Sequence, residues 1–190
     1  LLSRLEGAMD RVWLNSYDAD VLKNLDYPNE TLPALLQNNI PRYSGKIATE
    51  FIGAKLTYAD LWRQIQSLAN ALDKMGLKAG DKVAIMLPNC PQAIISYYAV
   101  LWLGGVVVMT NPMYVEREME HQWNDAGAEV LVVLDHLYPR VAKVLANCGI
   151  HSVIVTSVKD YLPFYLRWLY PLKAKKQNLF TAVPYDRKIL

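Results

Sequence analysis

No charged residue lies between Lys82 and Glu116. This is the longest apolar stretch of the chain, and the segments on either side read as packing on it or leading into it. Two readings compete: a membrane helix, or a strand, helix and strand buried within a parallel sheet. The punctuation favours the second. Residues 83–87 are a short apolar run ending at Pro88-Asn89, as a strand leaving a sheet does. Pro91 stands where a first helical residue belongs, with Asn89 or Cys90 before it as cap. Residues 93–103 carry helix formers and large apolar side chains, and Gly104-Gly105 ends them. Residues 106–109 are β-branched and continuous, the pattern of an interior parallel strand. A spanning helix needs about 20 apolar residues, more than this helical part supplies.

The same rules parse the flanks. Residues 1–30 are irregular, with Trp13, Tyr17 and Tyr27 spread through polar sequence, and read as an aromatic-bearing arm lying on a surface. Thr31-Leu32-Pro33 predicts a helix start, with Leu35, Leu36 and Ile40 on one side. Residues 46–51 and 55–57 predict two strands around a turn at Gly53-Ala54. From Thr57 the period changes. Tyr58, Leu61, Trp62, Ile65, Leu68, Ala69, Leu72 and Met75 recur every three or four residues, an amphipathic helix. Thr57 and Asp60 resemble a capping box, and Gly76 is placed to close the helix.

Beyond the centre, residues 115–126 predict a helix with Met119, Trp123 and Ala126 on one face, stopped by Gly127. Residues 130–134 predict a strand. Residues 137–146 predict a helix with Leu137, Val141, Val144 and Leu145 inward, and residues 153–156 a last strand. Strands and helices alternate through short links. The expected fold class is therefore α/β, a mostly parallel sheet with helices on both faces. The expected organisation is an arm (1–30), an α/β unit (31–156) and an aromatic-basic tail (157–190).

Composition narrows the function classes. The chain is 53% hydrophobic and 20% charged, which excludes a disordered chain, and a net charge of +2 gives no support to nucleic acid as a partner. Cys90 and Cys148 have no metal-type spacing and read as free thiols of a reducing compartment. The start, LLSRLEGAMDRVW, is charged and lacks the apolar core of a signal peptide.

Walker-type, dinucleotide-binding, HExxH and nucleophile-elbow motifs are absent from the sequence. His121, His136 and His151 share no spacing and read as surface or boundary residues. Cys90, at a helix start, is either a thiol with a lowered pKa or a small packing residue; the second reading is simpler. Glu116, Arg117 and Glu120 form a solvated helix face rather than a metal site. Ligands of open α/β sheets gather beyond the carboxyl ends of the strands. This makes Asn111, Pro112, Met113 and Tyr114 candidates to line a substrate site, against the alternative of a plain strand-to-helix turn. Pro88-Asn89 is a weaker candidate of the same kind. Tyr161, Phe164 and Trp168 followed by Lys173, Lys175 and Lys176 suit either a membrane interface or docking on a partner domain. No catalytic residue and no metal ligand is assigned.

The order of short motifs resembles the adenylate-forming enzymes. Leu56-Thr57-Tyr58-Ala59-Asp60-Leu61 resembles their first core motif. Gly80-Asp81-Lys82-Val83-Ala84-Ile85-Met86-Leu87-Pro88-Asn89 is similar to the next run. The segment from Leu101-Trp102-Leu103-Gly104-Gly105 to Asn111-Pro112 resembles the second core motif. Trp13, Leu25-Asp26-Tyr27-Pro28 and residues 154–163 (IVTSVKDYLP) resemble bacterial long-chain fatty-acid–CoA ligases in particular. The family's phosphate loop, adenine contact, ribose-binding aspartate and late lysine have no counterpart here, and residues 178–190 do not follow the family pattern.

The resemblance implies the first subdomain of the N-terminal domain of an AMP-forming ligase, inactive alone and partnered by the remainder of the enzyme. Its reaction would join a fatty acid to coenzyme A through an acyl-adenylate, using ATP and Mg2+. This chain itself is expected to bind no cofactor. The expected location is the cytoplasm, with peripheral contact at the inner membrane face. The alternative is a non-catalytic α/β module that docks on a protein or a membrane.

Overall fold

A computed structural model describes residues 11–176, with side chains through Tyr170. The chain divides into two units, Leu1–Glu30 and Thr31–Leu190. In the first, a short 3-10 turn at Val12–Ser16 precedes irregular backbone, and Arg11 Nη1 donates to Asn24 Oδ1 at 2.7 Å. Trp13, Tyr17 and Tyr27 are exposed.

The second unit opens with α1 (Leu32–Tyr43). The Thr31 hydroxyl accepts from Ala34 N at 3.3 Å, and Pro33 occupies the first turn, where its missing N–H costs nothing. An antiparallel hairpin follows, β1 (Ile47–Phe51) and β2 (Ala54–Thr57). The turn puts Ile52 at φ 51° and Gly53 at φ 83°. Then comes α2 (Tyr58–Lys74), whose capping box forms as the sequence predicts. Asp60 N donates to Thr57 Oγ1 at 3.1 Å, and Thr57 N reaches Asp60 Oδ2 at 3.4 Å. At its far end Leu77 N returns to Leu72 O at 3.0 Å around Gly76 at φ 94°. Only a residue without Cβ takes that turn cheaply.

The central stretch is β3 (Lys82–Met86), α3 (Pro91–Trp102) and β4 (Val106–Met109). It is the buried unit, not a membrane rod: no described helix is long and apolar enough to cross a membrane. Cys90 holds the cap position of α3 but makes no side-chain cap bond. After α4 (Glu116–Ala126), with Gly127 in the left-handed region, come β5 (Val130–Leu134), α5 (Tyr138–Ala142), β6 (Ser152–Thr156) and α6 (Phe164–Lys176).

The four parallel strands run in the order β4-β3-β5-β6. Alternate residues of β3 and β5 feed two cores. Val83, Ile85, Val130, Val132 and Leu134 pack with Leu61, Ile65, Ala69 and Leu72 of α2 and with Ile95, Ala99 and Val100 of α3. Ala84, Met86, Leu131 and Val133 pack with Met119 and Trp123 of α4 and Val141 of α5. Each of these fully buried branched side chains stabilises the fold by about 1.5–3 kcal/mol before entropy is counted. The α/β class with helices on both faces is thereby met.

Two expectations are corrected. Among the described residues the strand at 106–109 is an edge, not an interior strand: Val106 is 46% and Met109 51% exposed. The helix expected over 137–146 is broken into a 3-10 turn at Asp135–Leu137, the five-residue α5 and a second 3-10 turn at Leu145–Asn147. Pro139 has no N–H for a helix continuing from upstream, so the α-helical segment restarts around it.

Candidate functional site

The carboxyl ends of the parallel strands bring four short loops to one edge of the sheet. After β4, Thr110 is buried, and its hydroxyl accepts from Trp123 Nε1 of α4 at 3.0 Å. Thr110 N donates to Ile85 O at 3.0 Å, which extends the pairing with β3 by one residue. Gln122 Nε2 donates to Met109 O at 3.1 Å on the strand's open side.

The loop Asn111-Pro112-Met113-Tyr114 starts from that anchor. Asn111 Oδ1 accepts from Met113 N at 2.9 Å, and Asn111 O accepts from Tyr114 N at 3.0 Å. This is an Asx turn, in which the short side chain copies a backbone turn. Arg140 Nη2, from α5, donates to Pro112 O. Tyr114 packs inward on the α4–α5 core, while Met113 is 83% exposed. A tethered loop therefore presents a bare thioether at the carboxyl edge. Pro88 and Asn89 are exposed on the neighbouring loop.

The other two loops hold polar residues that the sequence reading did not place at a site, among them His136, which it read as a surface or boundary residue. Gln92, 5% exposed in the first turn of α3, donates through Nε2 to Ser157 O at 3.0 Å and to Thr156 Oγ1 at 3.4 Å. Its Oε1 is buried without a hydrogen-bond partner, and the Ser157 hydroxyl is buried beside Asp135 and Tyr170. After β5, His136 N donates to Asp135 Oδ1 at 2.8 Å, and His136 Nδ1 lies 3.7 Å from the same oxygen. Burial pushes the Asp135 carboxyl up, but the hydrogen bonds and charge of its neighbours, His136 foremost, outweigh burial and hold it below the usual range. Tyr170 is pushed up by burial and by the Asp135 charge. The signal was available: Asp135-His136 and Thr156-Ser157 each stand where a parallel strand ends.

A groove of about 460 Å³ opens beside Gln92, between α2, α3 and β6. Leu68, Ala71, Ile95 and Ile154 form its apolar wall, and Tyr161 closes one end with its hydroxyl donating to Gln64 Oε1. Burial raises the Tyr161 pKa. Tyr161 thus belongs to the fold's own packing, whereas Phe164 and Trp168 point to solvent at 79% and 84% exposure. Lys173, Lys175 and Lys176 fall within the span of α6, and their side chains lie outside the described residues.

The remaining candidates resolve into structure. Cys90 is buried, and desolvation raises its thiol pKa, the opposite of an activated nucleophile. Glu116 pairs with Lys143 at 3.0 Å, and Glu120 accepts from Asn147 at 3.3 Å. His121 is exposed, and His151 sits 3.5 Å from Glu129 on the surface. Among the described residues no three His, Cys, Asp or Glu side chains converge as metal ligands.

A four-stranded parallel sheet covered by helices on both faces defines an open α/β class. Residues 36–184 match the family described as AMP-binding enzyme, and the chain belongs to that family. It is 46% identical over 165 residues to a long-chain-fatty-acid–CoA ligase of Bacillus subtilis, covering 87% of this chain and 30% of the relative. A namesake from Escherichia coli O6:H1 is 34% identical over 156 residues, 81% of this chain and 28% of the relative. The crystal structure of a long-chain-fatty-acid-CoA ligase from Archaeoglobus fulgidus superposes with a TM-score of 0.65 at 27% identity, covering 70% of this chain and 28% of that one. The fold is that of the N-terminal part of adenylate-forming ligases, and the chain spans less than a third of its relatives' length.

Proposed function

We propose that this chain is the N-terminal portion of an AMP-forming long-chain fatty-acid–CoA ligase. Its role there is structural and substrate-lining: Asn111, Pro112, Met113 and Tyr114 form part of a wall of the acyl or coenzyme A site. The observation that supports this best is the tethered loop after β4, in a chain whose relatives carry that ligase name.

In the whole enzyme, a fatty carboxylate oxygen attacks the α-phosphorus of ATP as the bond to pyrophosphate breaks. The coenzyme A thiolate, its proton given to solvent, then attacks the acyl carbonyl as the bond to AMP breaks. Such chemistry needs dense positive charge around the phosphates. The donor set of the described residues does not fit a triphosphate or Mg2+. The guanidinium that reaches the loop, Arg140, donates to Pro112 O, and no metal-ligand cluster exists among the described residues. No step is therefore assigned to this chain, and alone it is expected to be inactive. The free thiols Cys90 and Cys148 suit a reducing cytoplasm.

The test is a chimera in which this chain replaces the matching segment of the Bacillus subtilis ligase. The chimera is expected to release AMP in a fatty-acid- and ATP-dependent reaction, and the chain alone to release none. Met113→Trp in the chimera is expected to raise the KM for fatty acid or coenzyme A at least about tenfold, the scale of one blocked contact. AMP release by the isolated chain, or a folded chimera with both KM values unmoved by Met113→Trp, overturns the reading.

A further inference from the structure

We propose that the groove between α2, α3 and β6 is a binding site for small primary amines, an ammonium head on an apolar body. The site is separate from the ligase reading: fatty acid, ATP and coenzyme A are all anions at neutral pH.

The amide of Gln92 sets the head group. Gln92 lines the groove from the first turn of α3 and is 5% exposed. Its Nε2 donates to Ser157 O at 3.0 Å, and a carbonyl oxygen can only accept. The amide therefore cannot turn over, since that would set two carbonyl oxygens against each other. Oε1 is thus fixed as an acceptor, and it is buried with no donor to meet it. A buried acceptor left in that state is costly, and a ligand that donates an N–H to it recovers the cost.

Charge narrows the choice of donor. Asp160 also lines the groove, and its Oδ2 accepts from Ser157 N at 3.2 Å. Gln92 and Asp160 thus grip the backbone of the same residue, which keeps the carboxylate close to the unpaired amide oxygen. Burial first, and then the Asp160 charge, raise the Tyr161 pKa, so the negative field reaches the closed end of the groove. Among the described residues that line it there is no Lys, Arg or His. An unpaired acceptor beside a carboxylate attracts a cationic donor and repels a carboxylate or a phosphate.

The walls set the body of the ligand. Leu68 and Ala71 of α2, Ile95 of α3 and Ile154 of β6 offer apolar surface. The volume of about 460 Å³ is that of a small-molecule site. Tyr161 closes one end, with its hydroxyl committed to Gln64 Oε1. A peptide segment running through the groove would need both ends open, whereas a short alkyl chain needs one.

The experiment titrates the full chain, near neutral pH, with three probes that share one body: hexylammonium, hexanol and hexanoate. Binding is followed by heteronuclear NMR at the Ile154 backbone amide and the Gln92 side-chain amide. Hexylammonium is expected to shift both resonances and to bind at least about tenfold more tightly than hexanoate, with hexanol between them. Asp160→Asn keeps an acceptor for Ser157 N and is expected to bring hexylammonium within about twofold of hexanol. Gln92→Met, followed at Ile154, is expected to weaken hexylammonium at least about fivefold. Ala71→Trp fills the groove from an exposed position of α2 and is expected to weaken all three probes at least about tenfold. Asp160 and Ala71 are both exposed, so the unfolding midpoints of their variants match the parent and a lost response reports the site rather than the fold. Hexanoate binding as tightly as hexylammonium, binding unmoved by Ala71→Trp, or no shift with any probe overturns the proposal.

Discussion

The indole Nε1 of Trp123 donates to Thr110 Oγ1 at 3.0 Å, both residues being almost fully buried. This bond joins the inner face of α4 to the residue that follows β4, and so fixes where the Asn111–Tyr114 turn begins. Trp123→Phe keeps most of the packing but leaves the Thr110 hydroxyl without its donor. It is expected to cost about 1–2 kcal/mol, and Trp123→Ala about 3–5 kcal/mol, in urea unfolding followed by far-UV circular dichroism.

Gly105 is the tightest point of the central unit. A Cβ there would stand 2.9 Å from Val100 Cγ1, 3.2 Å from Val100 O and 3.3 Å from Asp81 O. Val100 is fully buried, and its carbonyl already accepts from Gly105 N. Gly105→Ala is expected to destabilise the chain by about 1–3 kcal/mol, as overpacking does. An unfolding midpoint equal to that of the parent would show that α3 can shift away from β3.

The capping box of α2 has a pH signature. Thr57→Ala is expected to cost about 1 kcal/mol. The Asp60 pKa is lowered, first by the Thr57 hydroxyl and then by the Thr57 amide. Its contribution is therefore fully present above the ordinary value of 3.8 and is lost as pH falls through the lower folded value. Thermal unfolding of parent and Thr57→Ala across acidic pH should show the two curves converging below that range. Parallel curves would mean that Asp60 gains nothing from Thr57.

Cys90 offers a solvent-access test. Its thiol is buried, and desolvation raises its pKa. Labelling of the native chain with a maleimide near neutral pH is expected to be at least about tenfold slower at Cys90 than in urea. Equal rates would restore the activated-thiol reading.

Particular elements show what a linear reading can see. The cap at Thr57, the stop at Gly76 and the Pro91 start of α3 were legible because each depends on residues within one helical turn. The run 137–146 misled because its apolar spacing is helical while Pro139 interrupts the backbone ladder. Residues 106–109 misled differently. A continuous β-branched run looks interior, and nothing local says that no neighbouring strand among the described residues pairs on that side. At the candidate site, Asn111–Tyr114 was legible from strand-end logic. Gln92 was not, because its partners Thr156 and Ser157 lie 64 and 65 residues away.

The amino-acid sequence by itself determined the alternation of strands and helices, most of their ends and the family kinship. All of these rest on short-range backbone preferences and on ordered motifs. The tertiary structure alone decided the strand order, which placed β4 at an edge, and the gathering of Gln92, Asp135, His136 and Ser157 at the carboxyl rim. It also decided which rings of residues 161–170 are core and which are bare. The reason is physical: periodicity sets which way a side chain points along its own element, but only packing against distant elements sets what it meets there.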